Sequence, residues 1–375
     1  MINRRSSSLR GNKSNKFYSA AWWIGVVGTD SVKSVGAVKT AANDAGFNVN
    51  DMINELTRRK MLMTSGGIAM GGMTAAGLVG SDTQVADSVV DCSSDDPQIT
   101  YCLNTSTIRG QEIGLEKEVE LAAKVGYQGI EPWIGEITDY QKNGGSLKDL
   151  KKKIADLGLV VESAIGFANW IVDDPQKRKA GLEQAKVDMD LVSQIGGTHI
   201  AAPPAGATGQ ADLNLFEAAK RFRDLHQVGE SIGVIPQVEV WGFSKSLSRL
   251  GECLFVAVES GCENACVLPD VYHIYKGGSD FQGLSLLSGQ SIQCFHMNDY
   301  PADPPREKIN DAARVYPGDG VAPITEILRT VLANGFQGAL SLELFNRDYW
   351  KQDPEVVLRT GLEKMKKVVA KSVSV

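Results

Sequence analysis

The sequence predicts an α/β chain, a (β/α)8 barrel preceded by an N-terminal extension. Three observations carry that prediction. From Gln98 onward, short apolar runs alternate with amphipathic stretches of helical period, the pattern of repeated βα units. Eight such runs fit within roughly 275 residues, a usual size for this barrel. Several helical stretches stop at a glycine (Gly126, Gly158, Gly196, Gly233, Gly261 and Gly335), as helix C-termini prefer.

The strands expected are Ile99–Asn104, Gly129–Trp133, Leu159–Ile165, Thr198–Ala202, Ile235–Trp241, Ala265–Asp270, Ile292–His296 and Ala339–Phe345. The helices expected between them are Leu115–Val125, Leu147–Leu157, Gln176–Ile195, Leu213–Ile232, Ser246–Glu259, Ile324–Ala333 and Glu355–Val369, with a short one near Phe281–Leu287. A doubly wound open sheet is the competing architecture. It calls for a glycine-rich phosphate turn after its first strand, and Asn104-Thr105-Ser106-Thr107 is not one.

Ahead of the barrel, residues 1–51 mix arginine, lysine, serine and glycine with a Tyr18-to-Val27 apolar run too short to span a bilayer, and read as disordered or as an over-extended start. Residues 52–86 carry Arg58-Arg59 followed by a weakly apolar Gly/Ala/Met stretch, similar to a twin-arginine export signal, with Met52 a natural start. Residues 87–97 read as a linker, and 98–375 as the catalytic domain. The expected location is periplasmic or otherwise exported; the alternative is cytoplasmic.

The composition, 43% hydrophobic and 22% charged in 375 residues, leaves ample material for a core. A formal charge of −6 argues against a nucleic-acid partner, since phosphate binding needs a basic face. No stable membrane span is expected in the mature chain. Six cysteines in a chain this long make no disulfide scaffold; Cys262 and Cys266 read as buried thiols.

The chemistry sits at strand ends. Side chains alternate along a strand, so Gln237, Glu239 and Trp241 share one face, as do Ser341, Glu343 and Phe345. Asp270 and His296 end the sixth and seventh strands. Charged groups aimed into a barrel lumen are costly unless paired or ligated, so Glu239, Asp270, His296 and Glu343 on consecutive strands read as one metal site. Three carboxylates and an imidazole suit Mn²⁺, Mg²⁺ or Co²⁺, with Zn²⁺ possible. Asn104, Glu131, Trp133 and Trp241 are candidate substrate contacts, the two tryptophans as a wall at the barrel mouth. Trp170 joins them in a second tier. Glu162 is read as an ion-pair partner within the lumen, and Asp299 as an orienter of His296 or of a substrate hydroxyl. His226 is expected to be solvated on an outer helix, and His199 structural.

The segments VEVWG, LPDVYH, FHMND and LSLELF resemble the fifth to eighth strand ends of the xylose isomerase-like barrels, a superfamily of sugar (phosphate) isomerases and epimerases, over roughly residues 98–370. In its ketose 3-epimerases a Glu, Asp, His, Glu set holds the metal, which the resemblance transfers to Glu239, Asp270, His296 and Glu343. It also implies that Glu239 and Glu343 act as acid and base around a metal-stabilised enediolate, and that His273 of the Asp-x-x-His pattern touches substrate. The family's arginine, six residues after the ligand histidine, falls here on Ala302. That leaves Arg306 or Arg314, with Arg314 favoured because it leads into Pro317-Gly318-Asp319-Gly320.

The activity expected is metal-dependent isomerisation or epimerisation of a free sugar or sugar derivative, with a small-molecule carbohydrate as partner and a homo-oligomer as the assembly. A lyase or dehydratase acting on a keto-sugar, keto-inositol or glycoside would use the same residues. Abasic-site endonuclease chemistry on this fold wants more histidines and a basic surface. A non-catalytic carbohydrate-binding protein would be expected to have lost the glutamates.

Overall fold

The computed structural model describes residues 98–374, and all structural statements concern these. The export pattern and the extension before it lie outside them. Eight parallel strands form the barrel: β1 Thr100–Asn104, β2 Gly129–Glu131, β3 Val160–Val161, β4 His199–Ala202, β5 Ile235–Glu239, β6 Cys266–Leu268, β7 Cys294–Met297 and β8 Ala339–Leu342. The helices are α1 Leu115–Val125, α2 Ile134–Lys142, α3 Leu147–Asp156, α4 Pro175–Gln194, α5 Leu215–Ile232, α6 Leu250–Ser260, α7 Val271–Gly277, α8 Ile324–Ala333 and α9 Pro354–Val373.

Ladder pairing runs β3-β2-β1-β8-β7 and β4-β5-β6. Two seams join these arcs. Ala164 N donates to His199 O (3.1 Å) and Ala201 N to Ala164 O (2.8 Å) between the third and fourth strands; His296 N donates to Pro269 O (2.9 Å) between the sixth and seventh. β3 is much shorter than Leu159–Ile165 because the β2 ladder stops at Glu131. Pro132, next in line, has no N–H to donate. Its carbonyl still accepts from Ile165 N (3.0 Å), so the chain follows the strand path with an interrupted ladder.

Local chemistry explains the helix starts. Asp174 Oδ1 accepts from Gln176 N and Lys177 N ahead of Pro175; Asn214 and Asp353 do the same for α5 and α9, and Ser146 caps α3. α2 and α7 were not foreseen. The first buries only Ile137, so its apolar period is weak, and the second is apolar nearly all round and reads as strand. Among the described residues no helix is long and apolar enough to cross a membrane.

The alternation along the strands sorts the core into two parts. Leu103, Ile130, Val161, Val238, Val267, Phe295, Leu340 and Leu342 face the helices and form the large outer core. Cys102, Ile165, Ala201, Leu268, Cys294 and Ala339 fill the lumen as a smaller cluster. Further along six of the strand paths, toward the C-terminal end, the lumen turns polar with Asn104, Glu131, Glu239, Asp270, His296 and Glu343, all buried. That is the end of the barrel where loops supply chemistry.

Candidate active site

His296 is the centre of the polar layer. It is wholly buried, and its two ring nitrogens face different partners. On one side Nε2 lies 3.2 and 3.1 Å from the two oxygens of Glu131. On the other, Nδ1 lies 3.2 Å from Glu343 Oε2 and 3.8 Å from Asp270 Oδ2 without making a hydrogen bond. Burial alone would lower the imidazole pKa, but Glu343 and Glu131 outweigh it and hold it well above the usual histidine value.

Asp270 lies just past β6, in extended backbone that makes an isolated parallel bridge with His296. β6 ends at Leu268, and Asp270 caps α7, with Oδ1 accepting from His273 N at 2.6 Å. Its Oδ2 accepts from Asn298 Nδ2 and from Arg314 Nη1, each at 2.9 Å. Glu343 follows the last residue of β8, and its amide still donates to Met297 O (3.1 Å), which keeps the side chain in the lumen register. Burial pushes the Glu343 carboxyl up, yet His296 and Arg314 outweigh this and hold it below the usual range. Glu239 ends β5. Burial, with Glu343 and Asp270 adding and His296 opposing, pushes it up to about 8.

Asp270, His296 and Glu343 present ligand atoms within 4.8 Å of one another. Two atoms of the four-residue set, Glu239 Oε2 and His296 Nδ1, are buried without a hydrogen-bond partner, which native interiors tolerate mainly where function needs it. A donor set of three carboxylates and one imidazole with such orphaned atoms fits a hard or borderline divalent cation. Glu131, Cys294 and His296 form a second close group, on the Nε2 side.

Arg314 is fully buried among these groups. Its Nη1 reaches Glu343 Oε2 (2.8 Å) as well as Asp270, and Nη2 reaches His273 Nε2 (3.0 Å) and Asp311 Oδ1 (2.5 Å). Tyr272 and Phe345 flank the guanidinium at 4.6 and 5.0 Å. His273 is buried too; burial and the neighbouring Arg314 push it down to about 4 against the pull of Asp270, so the ring is neutral. Arg306 is exposed beside Glu307.

An aromatic arc rings the mouth. Its successive members, with ring centroids 5.0 to 6.0 Å apart, are Phe345, Trp133, Phe167, Trp241, Phe243 and His273. Phe167 and Phe243 are exposed, which is costly for such large apolar side chains. Arg109 stacks over Trp133, 3.6 Å from the ring. The arc joins the predicted Trp133 and Trp241 through residues that no sequence period marks, since Phe167 and Phe243 stand on irregular loops.

Several readings need correction. Asp299 does not orient His296. Its Oδ1 accepts from Tyr300 N and Ala322 N, and Oδ2 from Gly318 N and Gly320 N, at 2.8 to 3.0 Å. With reciprocal backbone bonds to Val315 (2.9 Å each), it ties down the loop that delivers Arg314. Gly320 must be glycine here, because a Cβ would sit 2.3 Å from Asp299 Oδ1. Glu162 has no ion-pair partner among the described residues. It lies against Gly129 at the N-terminal end of the barrel, and burial raises its pKa. Glu131 and Asn104 are wholly buried and bonded to protein, Glu131 to His296 and Asn104 to Glu131 and Trp133. Trp170 is core, packed on Phe222 with its Nε1 on Pro203 O. His226 is buried beside the same Phe222 and not solvated, because α5 turns that face inward. Cys266 is a buried free thiol; Cys262 is free and half-buried.

The chain is 25% identical over 276 residues to an inosose isomerase of Bacillus licheniformis, which covers 72% of this chain and 98% of that one. It is 26% identical over 241 residues to a 3-dehydroshikimate dehydratase of Pseudomonas aeruginosa, covering 62% of this chain and 36% of that protein. Among solved structures, the IolI protein with a bound zinc atom superposes with a TM-score of 0.67 at 23% identity, over 74% of this chain and all of that one. A family model described as xylose isomerase-like TIM barrel matches residues 119–368, more than half of the sequence. The chain belongs to the xylose isomerase-like TIM barrel family.

Proposed function

We propose that the protein is a metal-dependent isomerase or epimerase acting on a keto-sugar or related polyol derivative. The observation that carries this reading is the convergence of Asp270, His296 and Glu343 within 4.8 Å; Glu239 stands outside that close group but within reach of the charges of all three, its Oε2 buried and unpartnered. Those four residues would hold the cation. When bound, it supplies Lewis-acid polarisation of a substrate carbonyl and its neighbouring hydroxyl. The chain's own groups do the rest. One of Glu239 and Glu343 takes the proton from the carbon beside the carbonyl, and the other returns a proton to the same or the adjacent carbon. In this reading Arg314, whose Nε is buried without a partner, and His273 beside it contact substrate oxygens, and the aromatic arc stacks on the C–H face of a ring. Relatives that are named isomerases and epimerases of such substrates support the reading.

A dehydratase is the second reading, favoured by the match to 3-dehydroshikimate dehydratases at similar identity. Incubation of Co²⁺- or Mn²⁺-loaded protein with free keto-sugars, inososes and glycosides in D₂O, followed by NMR and mass spectrometry, separates the two. Deuterium gain on an intact skeleton supports the first, and loss of water the second; binding of sugar without exchange or elimination overturns both. Export by the Arg58-Arg59 pattern is proposed from sequence alone. Replacing both by lysine should retain the precursor in the cytoplasm, and unchanged export would remove the proposal.

A further inference from the structure

Glu131 is enclosed on every side by protein donors. Asn104 Nδ2 (2.9 Å) and Ser341 Oγ (2.6 Å) donate to Oε2, the Cys294 thiol lies 3.7 Å from Oε1, and His296 Nε2 lies within 3.2 Å of both oxygens. No lone pair is left for a substrate hydroxyl. Asn104 is equally committed. Its Oδ1 accepts from Ser106 N and Trp133 Nε1, both at 3.0 Å, while Nδ2 donates to Glu131 and, at 3.3 Å, to Glu343 Oε1. An amide with two donors on its oxygen and two carboxylates on its nitrogen has one orientation only.

We propose that Glu131 and Asn104 are positioning residues: Glu131 holds the Nε2 proton of His296 so that Nδ1 is presented to Asp270 and Glu343, and Asn104 ties that carboxylate to Glu343 and to the Trp133 wall. This rests on the cation-site reading above. The carboxylate is needed because it accepts from four donors at once. A glutamine would turn its NH2 toward at least one donor and leave a mismatch in a buried, low-dielectric place. The same group explains why Glu131, Cys294 and His296 cluster: the thiol and imidazole are donors to one acceptor. Cys294 needs no further role.

Glu131→Gln tests this, with Ser341→Ala as a milder variant that removes a single bond to Glu131 and keeps the test open if the first does not fold. Two readouts use the full chain without substrate. In metal-free, ¹⁵N-histidine-labelled protein, the wild type should show a slowly exchanging proton on His296 Nε2, which Glu131→Gln loses. In spectroscopic titration with Co²⁺, affinity should fall about 10–100-fold in Glu131→Gln and less, in the same direction, in Ser341→Ala. Wild-type Co²⁺ affinity and an unchanged Nε2 proton in both variants would overturn the proposal. Failure of the isomerase reading looks different: no sugar is turned over, while the Nε2 proton still depends on Glu131.

Discussion

His296 divides the polar lumen into two sides of opposite character. On the Nε2 side, the side-chain polar atoms of Glu131, Asn104 and Ser341 all have partners. On the Nδ1 side, Glu239 Oε2, His296 Nδ1 and Arg314 Nε are buried without one. The saturated side is stiff, because moving any member breaks several bonds in a low dielectric. The other side is hydrogen-bonded too, at Asp270 and Glu343, but its three unpartnered atoms retain capacity for a ligand. The barrel thus anchors a reactive set by satisfying one half fully and leaving single atoms of the other half unpartnered.

The sharpest attempt to break this contrast is Glu343→Gln, which alters the unsaturated side. Deuterium incorporation should fall by about 10²–10⁴-fold, the usual worth of a general acid or base, and the thermal midpoint should fall as well, because His296 and Arg314 lose a buried charge partner. Exchange at the wild-type rate would remove Glu343 from the chemistry. Asp299→Ala should act oppositely, costing stability first. It leaves four backbone N–H groups without their acceptor at a site where charge-assisted bonds are each worth about 1.5–3 kcal/mol. A loss of at least about 3 kcal/mol in denaturant unfolding is expected, accompanied by weaker substrate binding as Arg314 loosens; an unaffected midpoint would mean that the loop is held by other contacts.

Trp241→Ala probes the mouth above both sides. KM should rise about 3–10-fold with kcat nearly kept, consistent with one stacking face worth about 1 kcal/mol. A fall in kcat alone would move Trp241 from wall to reacting centre.

An effect on stability alone is expected outside the lumen. Burial, with Glu136 adding and Arg109 opposing, pushes Glu118 on α1 up from 4.5 to about 8. Folding therefore favours its neutral form. That contribution is fully present below about pH 4.5 and is lost as pH rises through about 8. Glu118→Gln should flatten this decline, by on the order of 1–2 kcal/mol between pH 5 and 9, read by thermal melts. An identical pH profile would show that Glu118 is already ionised in the native chain.

The parts legible from sequence are those that follow from strand periodicity. Glu239, Asp270, His296 and Glu343 could be drawn to one end of a barrel because alternation and strand order are local properties. α1 and α8 were read to the residue because each carries a clear apolar stripe. The partners of Asp299 were not legible, since they are backbone amides of its own loop, and a carboxylate after a ligand histidine looks the same in either role. Glu131 looked like a substrate contact because alternation says that a side chain faces the lumen, not how many donors already fill it. Phe167, Phe243 and Arg109 stand on segments without a period, so nothing nearby in sequence marks them.

By itself the sequence determined which side chains face inward at the C-terminal ends of the strands, and hence the fold and the donor types available. Only the tertiary structure decided which of those donors are spent on one another and which remain unpartnered. Hydrogen-bond satisfaction depends on distances between residues far apart in the chain, Asn104 to Glu343 and Glu131 to His296 among them. Those distances arise only when the barrel closes.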